Sequence, residues 1–405
     1  MLSYLNNLDD NSVFHDPFQS SVKPSQSIFT PKEKSNEIIE SRMAMRSSFK
    51  ELARQTRNNY PEKTYDNDDY LADLLKCLKI KSLVVGIGGA GNNTVSRMAE
   101  LTLLNSDTLN INTDAHDLYY SNSNKKLLIG KDRCNGLGSG NNPHVGEGAA
   151  EDDRERISEL VNADIVFLTC GLGGGTGTGA APVIAREAKK SDAIVVTFCS
   201  IPFKSEGNMR RQRAKLGLKN IAQYSDSIIP LPNDNLLQFL PKAPMLTCFK
   251  LMDEILVKAI GETVDLINNC GLVNIDFADI KKVFQKKGKY PSGLIGITES
   301  LGKEEDLIRK SRLALHNPLL KPNTKKVDNC LVSVTGDHRL SLSKVDKIVS
   351  TITNDIPPDA NLKFGTNVDP SLRKSIKIMV LGSGPVSPYV RSAMDSDTKI
   401  PIVPT

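Results

Sequence analysis

The sequence predicts an α/β protein: a Rossmann-like domain with a mainly parallel sheet, a long central helix, and a second α/β domain. Three observations carry this. From about residue 80, short β-branched runs alternate with helical stretches. The segment Asp164-Ile-Val-Phe-Leu-Thr-Cys-Gly-Leu-Gly-Gly-Gly-Thr-Gly-Thr-Gly179 begins as a buried strand, gathers five glycines within 173–179, and leads into a helical run. Residues 247–269 place Phe249, Met252, Ile255, Leu256, Ala259, Ile260 and Ile267 on one side, which is a helix with a broad apolar face.

Taken in order, residues 1–75 are rich in Ser, Asn, Asp, Pro and Lys and lack sustained apolar periodicity, so they predict a largely disordered extension. Within it Arg42, Arg46, Lys50, Arg54 and Arg57 recur at helical spacing, which suits an acidic membrane, a partner, or a plain solvated face. Strands are expected at 83–87, 109–112, 126–129, 165–169, 194–198 and 228–231, giving a first domain over 76–246 with ligands at the strand carboxyl ends. The central helix spans 247–273. Strands at 331–334, 362–365 and 376–381 mark a second domain over 274–383. The proline-rich stretch 384–405 is expected to be a flexible tail.

Composition narrows the class. The 405 residues allow two or three domains, and 39% hydrophobic with 24% charged residues is ordinary for a chain with a real core. The net charge of +5 is mild, the basic residues are scattered, and tryptophan is absent, so no nucleic-acid stacking surface is expected. Seven cysteines without a C-x-x-C pair suggest reduced thiols and a cytoplasmic setting. No apolar run is long enough to cross a bilayer, and the first residues lack a signal-peptide pattern.

Each glycine costs stability wherever it only fills space, so five within 173–179 need a reason. Lying between a strand end and a helix start, the run falls where free N–H groups and the helix dipole favour an anion, and its threonines could add hydroxyl donors to phosphate oxygens. It is no Walker loop, because no Gly-Lys-Ser/Thr follows. The first strand also runs into Gly86-Ile-Gly-Gly-Ala-Gly91, a G-x-G-x-x-G match shared with dinucleotide enzymes. A dehydrogenase using Asp114 at the second strand's end is therefore the rival, but it has no use for a second glycine loop. Two loops favour a nucleoside triphosphate.

The ordered set Gly88-Gly-Ala-Gly-Asn-Asn93, Asn112-Thr-Asp114, Gly136-Leu-Gly-Ser-Gly140, Gly173-Gly-Gly-Thr-Gly-Thr-Gly179, Pro202-Phe with Glu206-Gly, Pro232-Asn-Asp234 and Asn274-Ile-Asp-Phe-Ala-Asp279 resembles the FtsZ family, relatives of tubulin, over about residues 80–385. The resemblance implies that Gly88, Gly89, Ala90, Gly91, Asn112 and Gly173, Gly174, Gly175, Thr176, Gly177, Thr178 hold the nucleotide, chiefly the phosphates of GTP or GDP, with Mg2+ offsetting their charge. It places Glu206 and Arg210 at the ribose, although both also suit a surface ion pair. Phe249 falls where the family has an aromatic ring against guanine, and Asp253 where it has a carboxylate at the base edge. Asn92 and Asn233 match its guanine-contacting asparagines. Phe249 equally suits the buried face of the long helix.

Asn274, Asp276 and Asp279 match the family's catalytic loop, which enters the pocket of the neighbouring subunit; the bland alternative is that the acids cap the next helix. The family likeness thus implies a GTPase that polymerises head to tail, acts in a cytokinetic ring at midcell, and meets membrane-tethering adaptors through its tail or amino-terminal extension. A GTP-binding scaffold with little hydrolysis is the other reading. No metal-ligating side chains are expected. The lysine-rich run 281–297 departs from the family pattern.

Overall fold

The computed structural model describes residues 80–100, 106–238, 242, 244–268, 273, 275–286 and 288–396. The extension 1–75 with its basic stretch, Asn274, and residues 397–405 lie outside the described residues.

The first domain is a six-stranded parallel sheet with the order β3-β2-β1-β4-β5-β6. Its chain runs β1 (Ser82–Ile87), α1 (Gly88–Glu100), β2 (Asp107–Asn112), α2 (Ala115–Tyr120), β3 (Lys125–Leu128) and α3 (Pro143–Asp152). It continues through β4 (Ile165–Gly171), α4 (Thr176–Lys190), β5 (Ile194–Ile201), α5 (Asn208–Ile221), β6 (Ser227–Pro232) and the short α6 (Asn233–Leu237). Strands β1 and β6 are buried along their whole length and β4 up to Cys170, as expected for a parallel sheet covered on both faces. That is why they appear in sequence as continuous apolar runs.

The strand order reverses at β1, which pairs with β2 on one side and β4 on the other. Gly86 lies beside Thr169 and Ile87 beside Cys170, so the two strands end together and deliver both glycine loops to one crevice.

Helix α7 (Met245–Asn268) and helix α8 (Phe277–Phe284) follow. The second domain comprises β7 (Gly293–Ser300), α9 (Glu304–Leu315), β8 (Asn329–Gly336), α10 (Leu342–Asn354), β9 (Asn361–Val368) and β10 (Ile376–Ser383), in a mixed sheet ordered β7-β10-β8-β9. One apolar core runs through both sheets. Phe167 and Phe198 of the first sheet join Leu256, Ile260 and Val264 of α7, Phe284 of α8, and Val332 and Val380 of the second.

Strand β7 is not anticipated from the sequence, because glycines interrupt its apolar run. Gly296 is there for close approach: a Cβ on it would lie 1.7 Å from the Ala314 carbonyl of α9. The expected flexible tail also needs correction over 384–396. Ser387 caps, and Pro388 begins, helix α11 (Pro388–Met394). Its Val390 and Ala393 are buried in the cluster that holds Ala214 and Leu218 of α5. Asp395 then receives the Lys289 ammonium at 2.6 Å and the Tyr290 hydroxyl at 2.8 Å. The lysine-rich departure after α8 thus anchors the end of the described chain.

Candidate functional site

The two glycine loops meet. A Cβ on Gly88, whose φ is +69°, would sit 3.0 Å from the Gly177 amide nitrogen. Helix α4 begins at Gly175 without a side-chain cap, leaving its first N–H groups aimed at the crevice. The hydroxyl of Thr176 is engaged with Thr113 at 2.6 Å and Ser139 at 3.0 Å. That of Thr178 accepts from Gly173 N at 2.8 Å and keeps its own hydrogen to donate.

The glycines of 173–179 divide by cause. Gly173 has φ +102°, and Arg210 packs on it, with Cγ 2.7 Å from where a Cβ would stand. Gly174 faces open space apart from Asn141 Oδ1 at 3.9 Å. Gly175, Gly177 and Gly179 are packing requirements, since their Cβ atoms would strike Ser139 Oγ at 2.2 Å, Gly171 O at 2.5 Å and Pro143 O at 1.9 Å. Close approach of α3 to α4 therefore explains part of a run that, in sequence, points only to an anion.

Two of the expected contact residues are occupied in shaping the crevice. Asn92 is 1% exposed. With its side-chain amide oriented so that both ends find partners, the Asn92 nitrogen donates to Gly86 O at 2.9 Å and Gly88 O at 3.3 Å and its oxygen accepts from Asn112 Nδ2 at 3.1 Å. Asn112 Oδ1 in turn takes the amides of Thr113 and Asp114. The neighbour Asn93 is the exposed asparagine here. It lines a cavity of about 530 Å3 together with Gly89, Ser96, Arg97, Asp117 and Asp253. Sequence reasoning passed over Asn93; the only signal for it was its place in the Asn-Asn pair.

Asp114 caps α2, its Oδ1 accepting from His116 N and Asp117 N, which gives this carboxylate a structural role that asks for no dinucleotide ribose. Glu206 Oε1 accepts from Phe203 N at 2.7 Å, and its Oε2 lies 3.1 Å from Arg210 Nη1. The pair is thus both an ion pair and a brace beside Gly173. Asn233, the first residue of α6, is buried, and its Oδ1 has no hydrogen-bond partner among the described residues. Such an acceptor suits a donor brought by a ligand.

On α7, Phe249 is not core. It is 39% exposed and rests edge-on against buried Phe203. One turn on, burial pushes the Asp253 carboxyl up to about 6, against the opposing pull of the Thr94 hydroxyl and the Arg97 guanidinium. Both side chains belong to the amino-terminal half of α7, at the crevice.

Asp276 and Asp279 lie beyond the other end of that helix. From Phe249 to Asn268 an α-helix rises about 28 Å. Asp276 occupies the cap position of α8, is exposed, and makes no side-chain cap bond. Asp279 is 8% exposed and pairs through Oδ1 with Lys363 at 2.6 Å and Lys282 at 3.8 Å. The glycine loops and the acidic pair are therefore both built, and one subunit does not bring them together.

A switch-point crevice with two glycine loops, an uncapped helix start and a largely buried carboxylate beside it defines a nucleotide-binding protein. The family model of the Tubulin/FtsZ GTPase domain matches residues 81–241, and that of the FtsZ C-terminal domain matches 292–385. The chain is 38% identical to the cell division protein FtsZ of Methanothermobacter thermautotrophicus over 353 residues, covering 87% of this chain and 92% of that one. It is 42% identical to cell division protein FtsZ 1 of Pyrococcus abyssi over 324 residues, 80% and 86% of the two chains. A solved empty FtsZ dimer from M. jannaschii superposes with a TM-score of 0.73 at 35% identity, covering 84% of this chain and all of that one. The chain belongs to the FtsZ family.

Proposed function

We propose that this chain hydrolyses GTP in a site completed between two copies, the glycine loops of one receiving Asp276 and Asp279 of the next. As a family member it is a GTP-binding, filament-forming cell-division protein. One observation carries the composite site: the acids lie past the end of α7 while the loops sit at its beginning. The carboxylates of the incoming loop orient the attacking water, and the Thr178 hydroxyl and the free N–H groups of α4 stabilise the phosphates.

In the same reading Phe249 stacks on the base, and Asp253 accepts from guanine N1–H and N2–H2, donors that adenine does not present together. Asn233 and Asn93 complete the polar lining. No trio of metal-ligating side chains exists among the described residues. Mg2+ bound with the nucleotide would supply charge neutralisation at the phosphates.

Contact of unlike faces does not close, so repetition extends a filament. Adaptors reached through the extension or the tail would tether that filament at the division site; among the described residues no helix is long and apolar enough to cross a membrane.

The test is turnover per chain against protein concentration. A composite site makes it rise through the assembly threshold, because mass action governs how many sites are complete. A constant value from far below to far above the threshold overturns it.

A further inference from the structure

We infer that strand β9 is the platform that positions the catalytic loop, with Lys363 as the positioning residue of Asp279. The inference rests on the composite-site reading and concerns how the loop is held. β9 is an edge strand of the second sheet, bonded to β8 on one side only. Its free edge and one face, on which Lys363 and Gly365 both lie, take the loop at three points.

First, Val273 and Thr366 form an antiparallel bridge, with Val273 N to Thr366 O at 3.4 Å and Thr366 N to Val273 O at 3.3 Å. Second, Ile275 packs where Gly365 has no side chain: a Cβ there would lie 2.5 Å from Ile275 Cδ1. Third, Lys363 Nζ reaches Asp279 Oδ1 at 2.6 Å. An exposed lysine on an edge strand commonly does no more than discourage pairing with another strand. Here the ammonium is instead drawn onto a carboxylate that is 8% exposed.

Both cations near Asp279 address Oδ1, Lys363 at 2.6 Å and Lys282 at 3.8 Å. This fixes the carboxylate's orientation and leaves Oδ2 as the acceptor for water. The bridge and the glycine seat hold the backbone on one side of Asp276, and the ion pair holds it on the other. The loop is thereby set before a neighbour arrives, which lowers the ordering required at the moment of reaction.

The experiment compares Lys363→Met and Lys363→Arg in the full chain for GTP binding, sedimented filament and turnover per sedimented chain. Lys363→Met is expected to keep KM and the assembly threshold while kcat falls about ten- to a hundredfold, the usual result of a catalytic group displaced by about 1 Å. Lys363→Arg, which keeps a cation against Asp279, is expected to restore most of the rate. Full turnover in Lys363→Met overturns the inference, as does equal impairment of both variants, which would make the strand merely structural. If Lys363→Met does not assemble alone, doping it into unmodified filaments reads the same quantity, since each variant loop then serves an intact pocket. Asp279→Ala is run beside them. Loss of turnover there with no loss in Lys363→Met sinks only the role of Lys363, whereas full turnover in Asp279→Ala removes Asp279 from the reaction and with it any role for Lys363, and a turnover per chain that does not change with concentration sinks the composite site itself.

Discussion

Phe249 meets Phe203 edge to face, with ring centroids 5.7 Å apart and planes at 67°. Phe203 is 4% exposed and Phe249 is 39% exposed, so the pair presents one ring to the core and one to the crevice. Removing each should therefore have a different consequence. Phe249→Ala should weaken GTP binding about tenfold, the scale of one stacking contact, with little change in thermal stability. Phe203→Ala should cost about 3–5 kcal/mol of stability, the range for deleting a buried phenylalanine. Calorimetric titration and thermal unfolding separate the two; equal destabilisation by both would return Phe249 to the core.

The raised value of Asp253 gives GTP binding a pH dependence. Guanine's donors select the ionised carboxylate, which burial disfavours in the free protein. Affinity should fall as pH drops through about 6, approaching about tenfold per pH unit below it, with proton release on binding at neutral pH and below. Asp253→Asn should flatten the profile and reduce discrimination against ATP. Without ligand the sign reverses. The folded chain binds this proton more tightly than the unfolded chain does, so the group's contribution to stability is complete below the ordinary aspartate range and is lost as pH rises through about 6. A wild-type binding profile that stays flat between pH 5 and 7 removes Asp253 from the base edge.

The glycine run supplies a third test. Gly175→Ala places a methyl 2.2 Å from Ser139 Oγ and 2.8 Å from Asn142 N, so it should destabilise the fold by about 1–3 kcal/mol through overpacking. Gly174→Ala meets nothing closer than 3.9 Å and should melt like the unmodified protein, so any loss of nucleotide binding in it reports on the loop itself. A Gly175→Ala protein of unchanged stability would show that α3 and α4 yield easily.

These glycines also show where sequence reading stops. The parallel sheet was legible because buried strands are continuous apolar runs, and the crevice because β1 and β4 both run into glycine-rich loops. Which glycine serves a ligand and which serves α3 is decided by a partner helix about 30 residues earlier in the chain, and local pattern carries no trace of it. Likewise the Asn-Asn pair gave two candidates, and only the hydrogen bonds of Asn92 to Gly86 and Gly88 show that Asn93 is the exposed one. Lys363 was invisible for the same reason, since its partner Asp279 is brought to it by the fold.

Helix α11 is hidden in the sequence because repeated prolines point to a tail, whereas Ser387-Pro388 is a helix start. Its removal is testable. A chain ending at residue 384 loses buried Val390 and uncovers Ala214 and Leu218 of α5, so its unfolding temperature should drop by several degrees, about what 1–3 kcal/mol produces. Asp395→Asn, which only weakens an exposed pair with Lys289, should cost under about 1 kcal/mol. If truncation and the point change have equal effects, the apolar contact contributes nothing.

The last prediction separates catalysis from capping in the acidic pair. A helix-capping aspartate replaced by alanine costs about 0.5–2 kcal/mol. Asp276 sits at the cap position of α8 but makes no side-chain bond there, so Asp276→Ala should leave thermal stability nearly unchanged. Asp279 is buried and paired with Lys363, so Asp279→Ala leaves that ammonium without its partner and should lower stability measurably. In the composite mechanism both changes nevertheless reduce GTP turnover strongly, by an amount unrelated to their stability costs, because each removes an interaction made in the transition state. Both should still bind GTP with unmodified affinity, since neither residue belongs to the subunit's own crevice. The decisive comparison is Asp276→Ala, in which stability and binding are held constant: full turnover per assembled chain in that variant would remove Asp276 from the reaction and leave Asp279 to act alone.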